Sequence, residues 1–191
     1  MADDLVSTLY APDAGQEPLL ALPDVSILKT APLARLSFRG RNGVLAAASK
    51  GFGLDLPVKP LSAETGPDRA AFWLGPDEWL LLAQEDMLSE TMEGLATALG
   101  DTPHALVDVS HRQDAMLVTG DQAAWLLNSG IPIDLHLESF PIGMVTRTLF
   151  HKAPVMLWRI GPDAFVVEAW GSFIDYVAGL LVEAAQELKA A

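Results

Sequence analysis

Four histidines, His104, His111, His136 and His151, are the residues of this 191-residue chain best suited to bind a metal or move a proton near neutral pH. No two of them lie two, three or four residues apart, the spacings that put paired ligands on one face of a strand or helix. The chain contains no cysteine, which removes thiolate nucleophiles, disulfides and cysteine-held metal centres from the chemistry it can do alone. "DVSHRQD" sets Ser110 beside His111, but neighbours on a strand point to opposite faces, so they are not a nucleophile and its base. No Gly-x-Ser-x-Gly elbow surrounds Ser110 or Ser129. The glycines of "RGRNG" and "KGFGLD" complete neither a Gly-x-Gly-x-x-Gly fingerprint nor a Walker loop, and read as turn glycines. No residue pattern of the sequence reads as catalytic, cofactor-binding or metal-ligating.

Arg112, Arg147 and His151 are the candidates for lining a ligand path or facing a partner without reacting, because they lie near strands that flank a short helix. The five tryptophans are Trp73, Trp79, Trp125, Trp158 and Trp170. Most are expected in the core, Trp79 on a hairpin strand and Trp125 on a short apolar helix, while one or two exposed ones would mark an interface.

Twelve basic residues against twenty-five acidic ones give a net charge of −13, which repels phosphate backbones and anionic lipid surfaces. Nucleic acid and membrane are therefore not expected partners. The charge is uneven: Arg35, Arg39, Arg41, Lys50, Lys59 and Arg69 face only Asp55, Glu64 and Asp68 within the same stretch, a solvated face or a patch for an acidic partner. No apolar run approaches the length of a membrane span. The first residues lack the basic start and apolar centre of a secretory signal, and with the absence of cysteine this points to the cytoplasm.

The elements that position these residues come in two similar sets. "WLGPDEWLLLA" at 73–83 and "WRIGPDAFVVEA" at 158–169 make the same Gly-Pro-Asp turn between apolar runs. Before the first lie a strand "LARLSF", a turn, a short helix "VLAAAS" and a Gly-rich return; before the second lie "DAMLVT", a turn, a helix "AAWLLNSG" and a return "IPIDLHL". Asp121 is suited to cap that second short helix, and Gly130 lies beyond its end. A longer amphipathic helix follows each hairpin, with Leu88, Met92, Leu95 and Leu99 on one face and Ile174, Val177, Leu181, Ala184 and Leu188 on the other; Asp86 and Ser172 are suited to cap them.

Gly40 matches Gly120, Asp55 matches Asp134 and Gly75 matches Gly161. The fold class is thus α+β, with internally duplicated strand-helix-strand-strand-helix halves. Residues 1–30 read as an acidic N-terminal arm or irregular lead-in, and 31–191 as one duplicated domain with halves of about 31–103 and 104–191. Neither half is large enough to bury both faces of its sheet, which two copies closing on one another would do.

The succession "GDQAAWLLNSGIPIDLHLESFPIG", then "TLFHKAPVMLW" and "SFIDY", resembles the gamma subunit family of heterotetrameric sarcosine oxidase. The likeness covers about 33–185 and is strongest from 107 onward. That family is similar in turn to the folate-binding aminomethyltransferase of the glycine cleavage system, so the resemblance implies an aminomethyltransferase folate-binding-domain-like fold. In those enzymes acidic residues that hold folate and amine lie where this chain has Lys152, Ala153, Pro154 and Val155, and a polar piece after the short helix is altered here to Asn128, Ser129 and Gly130. The resemblance implies a fold kept without its active site.

It further implies a non-catalytic subunit packed on the alpha subunit of an alpha-beta-gamma-delta complex. The partner subunits would hold FAD, FMN, NAD and tetrahydrofolate, oxidise the N-methyl group of sarcosine and pass the one-carbon unit to tetrahydrofolate, with glycine and hydrogen peroxide as the other products. No cofactor is expected in this chain, and an isolated chain exposing its docking surface could form homo-oligomers. The alternative reading is a stand-alone folate-binding protein or aminomethyltransferase-like enzyme, with the local basic cluster meeting the carboxylate tail of folate.

Overall fold

The computed structural model describes residues 9–12, 15–41 and 43–189. The chain divides into two units, one containing Pro32–His111 and the other made of Tyr10–Ala31 with Arg112–Ala191.

The first unit runs β3 (Leu33–Gly40), α1 (Val44–Phe52), β4 (Ala63–Thr65), β5 (Arg69–Gly75), β6 (Glu78–Gln84), α2 (Leu88–Leu99) and β7 (His104–Asp108). Its sheet has the order β4-β5-β6-β3-β7. The second unit opens with β1 (Leu20–Leu22) and β2 (Val25–Lys29) and continues with β8 (Gln113–Thr119), α3 (Ala123–Asn128), β9 (Val145–Phe150), β10 (Ala153–Gly161), β11 (Ala164–Trp170) and α4 (Gly171–Ala184). Its sheet has the order β1-β2-β8-β11-β10-β9.

Leaving aside β7 and the β1–β2 pair, the two orders are the same: second, third, fourth and first strand of each half. The mixed fold with a repeated unit is the one the sequence predicts, and the detail of the repeat goes further than the sequence reading. Both Gly-Pro-Asp hairpins carry an irregularity at the matching place, between Trp73 and Gly75 and between Arg159 and Gly161, so that Gly75 faces Glu78 and Gly161 faces Ala164. In each half the glycine that ends the first strand donates its N–H to the aspartate of the hairpin turn, Gly40 to the Asp77 carbonyl at 3.1 Å and Gly120 to that of Asp163 at 2.9 Å. In each half a polar side chain at the end of the short helix closes the return loop: the Leu56 amide donates to Ser49 Oγ at 3.0 Å, the Leu135 amide to Asn128 Oδ1 at 3.3 Å.

Each unit has a core between its sheet and its helices. Val44, Ala48, Phe52, Leu95 and Leu99 pack with Leu36, Phe38, Ala71 and Leu81 in the first, and α3 and α4 cover Met116, Val118, Phe165 and Val167 in the second. The helices α1 and α2 touch backbone to backbone: a Cβ on Gly51 would lie 2.7 Å from the Gly94 carbonyl oxygen, and one on Gly94 2.7 Å from that of Gly51. Any side chain there would push the helices apart. On α2 the buried face is Thr91, Leu95 and Leu99, with Leu88 and Met92 half-buried. Thr91 is 5% exposed, and its Oγ1 has no hydrogen-bond partner among the described residues. Replacing it by a methyl group of nearly the same shape removes a desolvated polar atom. Thr91→Val is therefore expected to raise stability by about 1 kcal/mol, read as an upward shift of the urea midpoint at unchanged slope; a downward shift would contradict this.

Four features differ from the sequence reading. The stretch 20–29, read as part of an irregular arm, contains two strands, because β2 pairs with β8 from Ser26↔Thr119 to Lys29↔Met116 and buries Val25 and Ile27. Each half has a further strand, β4 or β9, between the return and the hairpin, where the sequence reading assigned no element. None of the three proposed caps acts as one. The 3₁₀ turn Glu85–Met87 carries Asp86 into the start of α2, and β11 runs directly into α4, so Ser172 is already inside its first turn. Ahead of α3 the N-cap is Gln122, whose N–H is taken by the Asp24 carbonyl at 3.0 Å, a partner remote in sequence. Trp125, assigned to the core, is 45% exposed: Ala123, Leu126 and Leu127 turn to the sheet, and the helical period sends residue 125 outward.

Candidate functional site

Arg112, Arg147 and His151 are all exposed and all lie in the second unit. Arg147 is on β9 and His151 opens the turn from β9 to β10, so the fold brings these two onto one hairpin. Arg112 ends the 3₁₀ turn Ser110–Arg112 ahead of β8, and β11 and β10 separate β8 from β9. Arg112 belongs instead to a polar chain leading inward. Its Nη2 donates to Gln113 Oε1 at 3.0 Å, the Gln113 amide reaches Glu168 Oε2 at 3.4 Å, and the Tyr10 hydroxyl donates to Glu168 Oε1 at 2.9 Å. Glu168 is 1% exposed and Tyr10 fully buried, with the Tyr10 ring 5.9 Å from that of Trp158.

The sequence reading missed Tyr10, Glu168 and a second buried charge, Arg159. Arg159 on β10 is 3% exposed and donates to the carbonyls of Gly161, Leu135, Phe140 and Pro162, the first three at 3.1, 2.8 and 3.0 Å. Its guanidinium stacks 4.7 Å from the Phe165 ring centre, and burial lowers its pKa against the opposing pull of Asp163. The signal was present as a charged letter inside an apolar strand run, "LWRIG" and "VVEAW"; a charge placed there must be bonded if the strand is buried.

The other polar groups are spent locally. Ser110 donates both its Oγ–H, at 2.5 Å, and its N–H, at 2.9 Å, to Asp108 Oδ1, and these two bonds with the nearby His111 hold the Asp108 carboxyl below its usual range; the same Oγ accepts the Arg35 amide at 3.0 Å. Asp134 is lowered in the same way by the Ser139 hydroxyl at 2.7 Å and the His136 amide at 2.8 Å. Asp68 is lowered by Arg69, whose guanidinium also donates to the Phe52 carbonyl at the end of α1. His104 is half-buried, and His111, His136 and His151 are exposed. Among the described residues no group of three or more His, Cys, Asp or Glu could hold a metal ion.

The positions where the resemblance implies acidic residues holding folate and amine carry other side chains. Lys152 and Pro154 are exposed, Ala153 and Val155 are buried, and none of the four side chains can accept a hydrogen bond. The Asn128 amide group is used on Ile131, Ile133 and Leu135, and Ser129 Oγ on the Leu126 carbonyl at 2.6 Å. In the first unit an open groove of about 870 Å³ is lined by Val44, Leu45, Val58, Pro60, Trp73 and Trp79, with the Arg41–Asp77 ion pair at its rim.

The model of the "Sarcosine oxidase, gamma subunit family" matches residues 40–187. The chain belongs to this family. It is similar to the sarcosine oxidase subunit gamma of Corynebacterium sp. (strain U-96), with 31% identity over 192 residues, spanning 100% of this chain and 91% of that one. The subunit gamma of an Arthrobacter sp. is 32% identical over 141 residues, 74% of this chain and 68% of that one. Among solved structures, the heterotetrameric sarcosine oxidase from Corynebacterium sp. U-96 in complex with pyrrole 2-carboxylate contains a chain that superposes with a TM-score of 0.82 at 30% identity, over 87% of this chain and 86% of that one. The glycine cleavage system aminomethyltransferase T from Bartonella henselae superposes with a TM-score of 0.66 at 12% identity, over 93% of this chain and 54% of that one. This last likeness is one of fold. For a member of the gamma subunit family, then, the fold is shared with an aminomethyltransferase while residues 152–155 carry no acceptor side chain. No described helix is long and apolar enough to cross a membrane.

Proposed function

We propose that the chain works as a non-catalytic subunit of a heterotetrameric oxidase acting on sarcosine, packed on the alpha subunit of an alpha-beta-gamma-delta complex in the cytoplasm. The observation that carries this reading is the likeness to a sarcosine oxidase gamma subunit along the whole chain at 31% identity. FAD, FMN, NAD and tetrahydrofolate belong to the other subunits, where oxidation of the N-methyl group and capture of its carbon take place. What this chain contributes is surface. The second unit exposes Trp125, Leu137, Ile142, Leu149, Trp170 and Tyr176, side chains of the kind that anchor protein interfaces. Arg112, Arg147 and His151 are read as partner-facing residues of that surface.

Co-expression of the other three subunits with and without this chain tests the proposal. Without it, assembly and sarcosine turnover are expected to fall at least about tenfold, and unchanged assembly, stability and turnover would overturn it. Titration of the isolated chain with tetrahydrofolate is expected to give no saturable heat; tight binding would favour a folate-binding protein instead.

A further inference from the structure

We propose that the outer edge of β9 is a docking edge that receives an extended, carboxylate-bearing segment of a partner subunit as an added strand, an inference that rests on the assembly reading above. β9 ends the six-stranded sheet, and no described strand pairs with its outer side. The inner ladder fixes which backbone groups face outward. The turn His151–Lys152 joins Phe150 to Ala153, and the residues flanking a two-residue hairpin loop exchange N–H and C=O. Alternation makes Thr148 and Thr146 the next inward-bonded residues, and Met144, which continues that series, accepts the Arg159 amide at 3.0 Å. Leu149 therefore turns its N–H and C=O away from β10. Its partner across the ladder, Pro154, has no N–H to offer and fits a pair that exchanges none.

Strand edges closed to partners are cut short, bulged or interrupted by proline. β9 is six residues long without proline, and its register against β10 is unbroken, whereas the outer strands β1 and β4 have three residues each. The remaining edge, β7, ends on Asp108 and follows Asp101, the wrong charge for an acidic strand.

Charge selects the partner. Residues 139–162 contain no Asp or Glu in a chain with twenty-five of them, while His151 and Lys152 stand exposed at the tip and Leu149 is 46% exposed beside them. The tip is also strained. His151 has φ 50°, a left-handed conformation that glycine adopts freely, and it is held there by its N–H to the Gly130 carbonyl at 2.8 Å and by its ring edge-on to Phe150 at 5.1 Å. At this exposed tip the imidazole and the Lys152 ammonium meet the carboxylates of the incoming strand.

Amide hydrogen exchange on the purified complex of all four subunits and on the isolated chain reads the edge directly. The Leu149 amide is expected to exchange at least about tenfold more slowly in the complex, with Thr146 and Thr148 protected in both. Leu149→Pro removes an outward N–H and spares the inner ladder, and Lys152→Glu reverses the charge. Each is expected to keep the circular dichroism of the isolated chain and to weaken its retention by the other subunits at least about tenfold. His151→Gly is expected to raise the Tm of the isolated chain while lowering retention. Equal exchange at Leu149 in complex and free chain overturns the docking edge even where the chain co-purifies, which leaves the assembly reading standing. Failure to co-purify defeats that reading and the edge with it. Concentration-dependent protection of Leu149 in the isolated chain makes the occupant a second copy and also overturns the proposal. Should Leu149→Pro not fold, the exchange on the unmodified complex and the Lys152→Glu retention decide.

Discussion

Gly120→Ala is expected to lower the Tm of this chain by about 6–20 °C. A Cβ at this position would stand 2.3 Å from the Asp24 carbonyl oxygen and 2.9 Å from the Val25 Cα, all of it backbone, with no flexible side chain to give way. The same residue has φ 115°, outside the regions open to alanine. Backbone strain of this kind costs about 1–3 kcal/mol, and the displaced β1–β2 turn adds the loss of the Gln122 amide bond to Asp24 that starts α3. Together about 3–5 kcal/mol is expected, and at about 2–4 °C per kcal/mol for a chain of this size the shift is readily seen by thermal denaturation. Gly40, its counterpart, provides the control. Its φ is not positive, and the Cβ would meet the Val44 side chain, with Cγ2 at 2.6 Å, which can rotate. Gly40→Ala is expected to cost less than half as much, and a Gly120→Ala drop below about 2 °C would refute the steric account.

Arg159→Met is expected to destabilise the second unit by about 3–5 kcal/mol, the cost of leaving several buried carbonyls without a donor. The methionine fills most of the same volume and keeps contact with Phe165, so the loss falls on the four carbonyls of Leu135, Phe140, Gly161 and Pro162 that the guanidinium satisfies. These carbonyls belong to the loop between α3 and β9 and to the hairpin turn, which no ladder organises, so Arg159 is what holds the loop to the sheet. Arg159→Lys is expected to recover only part of the loss, because one ammonium cannot span the fork of the guanidinium. Urea unfolding at constant slope is the measurement; a methionine variant within about 1 kcal/mol of the unmodified chain would show that solvent replaces these bonds at little cost.

The loop that Arg159 organises also shows where sequence reading stops. The repeat was legible because each Gly-Pro-Asp hairpin encodes its own geometry over a few neighbouring residues, and so were the faces of α2 and α4, which follow from a period of 3.6. Leu95, Leu99, Ile174, Val177 and Leu181 are buried as that period predicts. β9 was not legible: "VTRTLF" gains its strand character from pairing with β10, and its apolar letters are too few to announce it. The candidate residues were read as a set of three, yet only Arg147 and His151 share a hairpin, because adjacency in a sheet depends on strand order and not on chain order.

Caps and buried charges divide along the same line. Asp86, Asp121 and Ser172 have the right chemistry for helix starts, but the orphan amide ahead of α3 is taken by Asp24, close to a hundred residues away in the chain. No local rule can see such a partner.

By itself the sequence determined the α+β class, the duplicated hairpins, the absence of thiol chemistry and the faces of the long helices, since each depends on interactions within one turn, one hairpin or one residue type. Only the tertiary structure decided that β1 and β2 complete the second sheet, that Arg159 and Glu168 are interior groups, that Trp125 faces outward and that the outer edge of β9 is left open among the described residues. Each of these turns on a partner brought from elsewhere in the chain, and a charged or aromatic letter carries the same local signal whether its partner is water, a distant carbonyl or another subunit.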